Sequence, residues 1–191
     1  MVSIRLNNPY YEGVHMYERK EMVFSAESIS GAVDRLARRI NIDYRDKRLL
    51  IVGVLKGCFI FMADLVRKLD LDVELDFVVL RSYGASSISS GEVEVIKDLE
   101  DPIDGRHVLV VEDIVDTGIT LKYFRDQLSL RGPASVKICA LIDKKARREV
   151  DIDVDYVGLE MQEGFVVGYG LDCNEFGRHF PDVWIIEEKD E

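Results

Sequence analysis

Between positions 112 and 120 the chain reads Glu-Asp-Ile-Val-Asp-Thr-Gly-Ile-Thr, and these residue types at this spacing suit sugar-phosphate chemistry. Three carboxylates, Glu112, Asp113 and Asp116, stand close together and repel one another unless cations or hydroxyl donors neutralise them. A carboxylate accepts from two donors at once, which matches the diol of a ribose. Thr117, Gly118 and Thr120 bring hydroxyls and an unobstructed backbone to the point where a helical pattern begins. A helix N-terminus of that kind is a ready site for a phosphate dianion. An acid at a strand end, or a threonine before a helix, is by itself an ordinary solvated end or cap. The string as a whole points to a ligand carrying both a diol and a phosphate.

Such a loop needs a strand to deliver it and a helix to receive it. Val108-Leu109-Val110-Val111 is an apolar run of strand length, and Leu121, Phe124 and Leu128 recur afterwards at helical spacing. The same order occurs earlier, where residues 49–55 are apolar, Lys56-Gly57 makes a turn, and Phe59, Met62, Leu65 and Leu69 mark a helix. Ile29, Val33, Leu36 and Ile40 predict an amphipathic helix with Ser25 or Ser28 as its N-cap. Val73, Leu75, Phe77 and Val79 alternate with acids as in a half-covered strand, and 81–94, rich in Ser and Gly, reads as a long loop. Gly132-Pro133 ends the second strand's helix, and 136–142 supplies a further strand. Short apolar pieces at 156–159, 165–167 and 183–186 are expected to form a small appended lobe. Strands alternating with helices predict an α/β fold whose parallel sheet carries helices on both faces, with ligands at the carboxyl ends of the strands.

Composition narrows the function classes. The 191 residues contain 25 Lys and Arg against 36 Asp and Glu, a formal net charge of −11. That excess opposes binding of nucleic acid through general electrostatics. With 47% hydrophobic residues the chain can bury a sizeable core in a single domain. Cys58, Cys139 and Cys173 have no CxxC spacing, and His15, His107 and His179 fit no triad or metal pattern, so neither a disulfide framework nor a zinc site is expected. No apolar run approaches the roughly 20 residues that span a bilayer, and the opening residues lack an apolar signal segment. The expectation is a cytoplasmic protein with no membrane partner.

Four apolar residues followed by Glu112-Asp113-Ile114-Val115-Asp116-Thr117-Gly118 resemble the phosphoribosyl-diphosphate signature of the type I phosphoribosyltransferases. Leu55-Lys56-Gly57, Arg81-Ser82-Tyr83-Gly84, Lys144 after Asp143, and Phe165-Val166-Val167-Gly168-Tyr169-Gly170-Leu171-Asp172 resemble, in the same order, the hypoxanthine-guanine phosphoribosyltransferases. The resemblance covers roughly residues 23 to 187. It implies one domain with a core of about 23–150 and a small hood built from the N-terminal segment and about 151–191.

The resemblance also implies roles. Glu112 and Asp113 would hold the ribose hydroxyls and, with Asp172, a magnesium ion. Thr117, Gly118, Ile119 and Thr120 would cradle the 5-phosphate, although the family often has lysine where Ile119 stands. Asp116 would take the proton on purine N7 as N9 attacks. Lys56 and Gly57 would face the diphosphate, across a Leu55-Lys56 peptide that the family commonly twists to cis, and Arg178 would grip it. Lys144 would read the C6 oxygen of the base, Phe165 would stack on its face with Val166 beside it, and Ser82-Tyr83 would open a lid. The implied partners are phosphoribosyl diphosphate and a free 6-oxopurine, with a homodimer or homotetramer as the assembly. Two alternatives stay open on the residues: a regulator of this fold that senses phosphoribosyl diphosphate or a nucleotide, and a transferase for xanthine, adenine or a pyrimidine.

Overall fold

Continuous apolar runs settle as central strands where both faces find cover, and alternating ones where one face does. The computed structural model describes residues 17–82 and 93–188. Its elements are β1 (Tyr17–Phe24), α1 (Ala26–Asp43), β2 (Leu49–Leu55), α2 (Phe59–Val66), β3 (Val73–Ser82), β4 (Val93–Lys97), β5 (His107–Val115), α3 (Ile119–Ser129), β6 (Ser135–Lys144), β7 (Tyr156–Met161), β8 (Phe165–Val167) and β9 (Val183–Glu188). A six-stranded sheet has the order β4-β3-β2-β5-β6-β7, with every pair parallel except β3 and β4. A three-stranded antiparallel sheet, β1-β9-β8, forms the hood.

The alternation of side chains along the central strands decides which helix covers which face. Ile51, Leu109, Val111, Cys139 and Leu141 point to one side and pack with Ile29, Val33, Leu36 and Ile40 of α1 and with Phe61, Met62 and Leu65 of α2. Leu50, Val52, Val108, Val110, Ile138 and Ala140 point to the other and pack with Leu121, Phe124 and Leu128 of α3. Helices therefore lie on both faces, as the strand-helix alternation predicts. Ser25 is the N-cap of α1, its hydroxyl accepting from Ser28 N at 3.2 Å.

Four expectations are corrected. Residues 156–159 belong to β7, the edge strand of the main sheet beside β6, and not to the appended lobe; the edge of β6 would otherwise be open, and pairing there buries Tyr156. The ends of the loop expected over 81–94 are strand instead, because Arg81 and Ser82 complete β3 and pair with Glu94 and Val93 of an edge strand, β4. Residues 83–92, Tyr83 among them, lie outside the described residues. α2 ends at Val66, and its buried face is Phe61, Met62 and Leu65, whereas Phe59 is exposed. β3 gains cover on both faces only in its second half, where half-buried Phe77 joins the cluster of α1 and α2 and Val78 that of α3, while Glu74 and Leu75 in its first half stay exposed. Among the described residues no helix is long and apolar enough to cross a membrane.

Candidate active site

The acidic string straddles the end of β5. Glu112 and Asp113 are still strand residues, with Glu112 opposite Ala140 and Val115 opposite Asp143. Asp113 is buried, and its Oδ1 accepts from Ile114 N at 2.8 Å. Burial, and then the neighbouring charge of Asp113, push the Glu112 carboxyl well above the usual range. Burial raises Asp113 too, against the hydrogen bond from Ile114 N. Glu112 Oε2 is shielded from solvent without a partner. Each carboxyl of the pair disfavours the other's charge, a cost that hydroxyl donors or a cation would relieve. Lys56-Gly57 closes over it from the end of β2: a Cβ on Gly57 would fall 1.7 Å from Asp113 Oδ2, so only glycine allows this approach.

After Val115 the chain turns through Asp116 and Thr117 into Gly118, whose φ of 81° is left-handed, and α3 starts at Ile119 with Thr120 in its first turn. Ile119 N lies 3.5 Å from Thr117 Oγ1. The amides of Thr117 and Gly118 donate to no backbone carbonyl among the described residues. An N-terminal turn with free amides and hydroxyls suits an anion.

Lys144 ends β6 and is 4% exposed, a burial that rules out a solvated position in its basic run. Its ammonium donates to Gly164 O at 2.9 Å and lies 3.5 Å from Asp116 Oδ2. Arg147 Nη1 reaches the same Oδ2 at 3.2 Å, while Asp116 Oδ1 is buried and unpartnered. Directly after Gly164, Phe165 presents its ring to solvent at 56% exposure and Val166 turns into the core. An aromatic left that exposed beside a buried ammonium is a platform for a flat polar ring.

The third part joins core and hood. The Leu55-Lys56 peptide is cis. Lys56 Nζ contacts Glu175 Oε1 at 2.9 Å, and Arg178 Nη2 contacts Glu175 Oε2 at 3.2 Å and Asp172 Oδ1 at 2.8 Å. Lys56 and Arg178 hold the Glu175 carboxyl below the usual carboxylate range. Arg178 Nη1 also donates to Gly170 O at 2.8 Å, and Asp172 Oδ2 accepts from Glu175 N at 2.8 Å. No group of three or more Asp, Glu, His or Cys side chains converges as a metal site among the described residues, so Glu112, Asp113 and Asp172 do not form one preformed metal centre. Tyr83 of the expected lid lies outside the described residues, and Ser82 ends β3.

Arg147, Arg148, Gly164 and Glu175 escape reading from the sequence. Arg147 and Arg148 stand in a run of four basic residues that looks like a solvated face, and only the return of 145–152 behind the Asp116 turn brings them to the site. Glu175 carries no signal beyond its place three residues before Arg178.

A mostly parallel sheet with helices on both faces, an antiparallel hood, and an acid-rich turn at a strand's carboxyl end define a class, and residues 21–174 match the model of the phosphoribosyl transferase domain. The chain belongs to the phosphoribosyltransferase family. Within it, the chain is similar to the hypoxanthine-guanine phosphoribosyltransferase of Aquifex aeolicus strain VF5, 42% identical over 172 residues that cover 90% of this chain and 97% of the relative. The hypoxanthine phosphoribosyltransferase of Haemophilus influenzae is 45% identical over 162 residues, 83% of this chain and 90% of that protein. The crystal structure of a hypoxanthine phosphoribosyltransferase from Staphylococcus aureus superposes with a TM-score of 0.86 at 37% identity, covering 96% of this chain and 97% of that one.

Proposed function

We propose that the protein transfers the 5-phosphoribosyl group from phosphoribosyl diphosphate to N9 of hypoxanthine or guanine, giving the purine nucleoside monophosphate and diphosphate. The observation that carries the choice of base is Lys144. A buried ammonium has three donors and no acceptor; it matches a carbonyl oxygen on C6 and opposes the amino group of adenine donor to donor. Phe165 would stack on the purine with Val166 beneath it, an interaction that treats purines nearly alike.

The remaining residues divide the work by charge. Glu112 and Asp113 would accept from the ribose 2- and 3-hydroxyls, relieving a pair whose burial disfavours two bare charges. Thr117, Gly118, Ile119 and Thr120 would bind the 5-phosphate through amides and hydroxyls. Asp116, with Oδ1 free of partners, would accept the N7 proton, and Lys144 and Arg147 on Oδ2 fix its orientation. Lys56, Gly57 and Arg178 would hold the diphosphate as it leaves, and Ser82-Tyr83 would begin the cover over it.

Magnesium satisfies one or two carboxylates together with phosphate oxygens and water, and it suits this donor set. The unpartnered Glu112 Oε2 beside Asp113 offers few protein ligands, Asp172 being held by Arg178, and leaves the rest to substrate. When bound, the ion neutralises charge on the leaving diphosphate. A homodimer or homotetramer at work in the cytoplasm completes the proposal.

The test compares kcat/KM for hypoxanthine, guanine and adenine, with magnesium and phosphoribosyl diphosphate, in the native protein and in Lys144→Ala. A mismatched buried donor supports discrimination of roughly 10⁴ against adenine. Adenine use equal to hypoxanthine use would sink the assignment, and unchanged hypoxanthine use in the variant would remove Lys144 from base recognition.

A further inference from the structure

Behind the Asp116 turn lies Arg148, a mostly buried arginine to which the proposed reaction gives no task. Its Nε donates to Asp116 O at 3.1 Å, its Nη1 to Ile152 O at 3.2 Å and its Nη2 to Val115 O at 3.4 Å. Nη2 is also ion-paired with Oδ1 of Asp143, which is 3% exposed. The next residue continues the pattern, because Glu149 N donates to Thr117 O at 3.0 Å. The same segment packs directly against the turn: a Cβ on Gly118 would meet Ile152 Cγ2 at 2.8 Å and Arg148 Cδ at 3.1 Å.

We infer that Arg148 is a positioning residue that shapes the 5-phosphate cup from its rear and ties it to the strand end that carries Lys144. In a trans peptide the C=O and the following N–H point in opposite directions. With Asp116 O held by Arg148 and Thr117 O held by Glu149 N, the amides of Thr117 and Gly118 are turned to the opposite side, where α3 begins. Those are the two amides that donate to no backbone carbonyl among the described residues. The guanidinium thus sets the direction of the Thr117 amide, a donor it does not share with the ligand, and the residue after it does the same for the Gly118 amide. The guanidinium's ion pair with Asp143 reaches the residue just before Lys144, so the phosphate cup and the base contact are referred to one rigid fork. Lysine cannot replace it, since a single ammonium on a flexible stem does not span Asp116 O, Val115 O, Ile152 O and Asp143 together.

This inference rests on the phosphoribosyl-transfer reading, and the experiment separates the two. Arg148→Lys keeps the charge beside Asp143, and Glu149→Pro removes one amide donor at an exposed position without touching a buried charge. Affinities for inosine 5′-monophosphate and for inosine are measured by calorimetry in native and variant proteins, with KM for phosphoribosyl diphosphate and kcat alongside. In Arg148→Lys the monophosphate and phosphoribosyl diphosphate are expected to bind about tenfold more weakly or worse, as for one or two lost hydrogen bonds, with inosine changed less than about twofold. Glu149→Pro should show the same selective loss at smaller size. Equal losses for inosine and its monophosphate, or none for either in Glu149→Pro, would overturn the role; if Arg148→Lys does not fold, the Glu149→Pro arm decides. Failure of the native protein to form a monophosphate would instead overturn the reading on which the inference stands.

Discussion

Asp116 and Glu175 show how a single carboxylate's neighbours assign its work. Asp116 has one oxygen held by two cations and the other buried without a partner, an arrangement that orients the group and leaves an acceptor for a substrate proton. Asp116→Asn keeps the shape and loses the basic oxygen. We expect kcat to fall by about 10²–10⁴ with a much smaller change in phosphoribosyl diphosphate binding; pre-steady-state kinetics with normal turnover would show that Asp116 only shapes the turn. Glu175 sits between Lys56 and Arg178, the two cations proposed for the diphosphate, and the incoming anion must displace it. Exposed pairs of this kind are worth about 0.2–1 kcal/mol. Glu175→Gln should therefore tighten product inhibition by diphosphate about two- to fivefold. A weaker inhibition constant would show that Glu175 holds Arg178 in place for the ligand.

At the level of elements, the site depends on strands that stop in register and helices that start beside them. α3 is anchored at its start by the Gly118 turn and just beyond its end by Arg131, which donates to Asp98 Oδ1 and Oδ2 at 2.9 and 2.8 Å and so links the α3 end to the segment after β4. The Arg131 hydrogen bonds hold the Asp98 carboxyl below the usual range, with partial burial opposing them. A lowered native pKa stabilises the fold above the unfolded-state value of about 3.9, and the stabilisation is lost as pH falls through the native value. Both side chains are more than a third exposed, so the pair contributes about 1 kcal/mol or less. Urea unfolding of Arg131→Met should show a deficit of that size near pH 7 that shrinks below about pH 4. A deficit independent of pH would assign the effect to the packing of the arginine stem.

Across the whole molecule, an acidic protein concentrates its cations where the ligand needs them. The net charge is −11, yet Lys56, Lys144, Arg147 and Arg178 converge on one mouth of the sheet. The hood completes that mouth through close approaches: a Cβ on Gly170 would fall 2.0 Å from Gly57 O, and Tyr169 donates to Asp64 Oδ2 of α2 at 2.6 Å. Ala26 N, at the start of α1, donates to Asp182 Oδ1 in the hood at 2.7 Å. Gly57 is the point at which core, acidic pair and hood touch. Gly57→Ala should keep the circular dichroism of the fold while cutting activity by about 10² or more, since a shift of about 1 Å in positioning groups has that cost. Native-like activity in this variant would mean that the 55–57 turn can move without affecting the site.

The amino-acid order alone determined whatever rests on local periodicity and short motifs. The helices around Ile29–Ile40 and Leu121–Leu128, the buried strands β2, β5 and β6, and the acidic turn at 112–120 are all legible because burial on one face or two leaves a direct imprint on neighbouring residues. Tertiary structure decided what depends on long-range pairing. Tyr156–Met161 is as apolar as a hood strand, and only the open edge of β6 draws it into the main sheet. Arg148 is indistinguishable in the chain from its exposed neighbours until 145–152 folds behind Asp116, and Glu175 becomes a partner of Lys56 only when residues 119 positions apart are brought to one mouth. Those contacts join segments whose local sequences carry no trace of each other, so their selection lies in the packing of the whole.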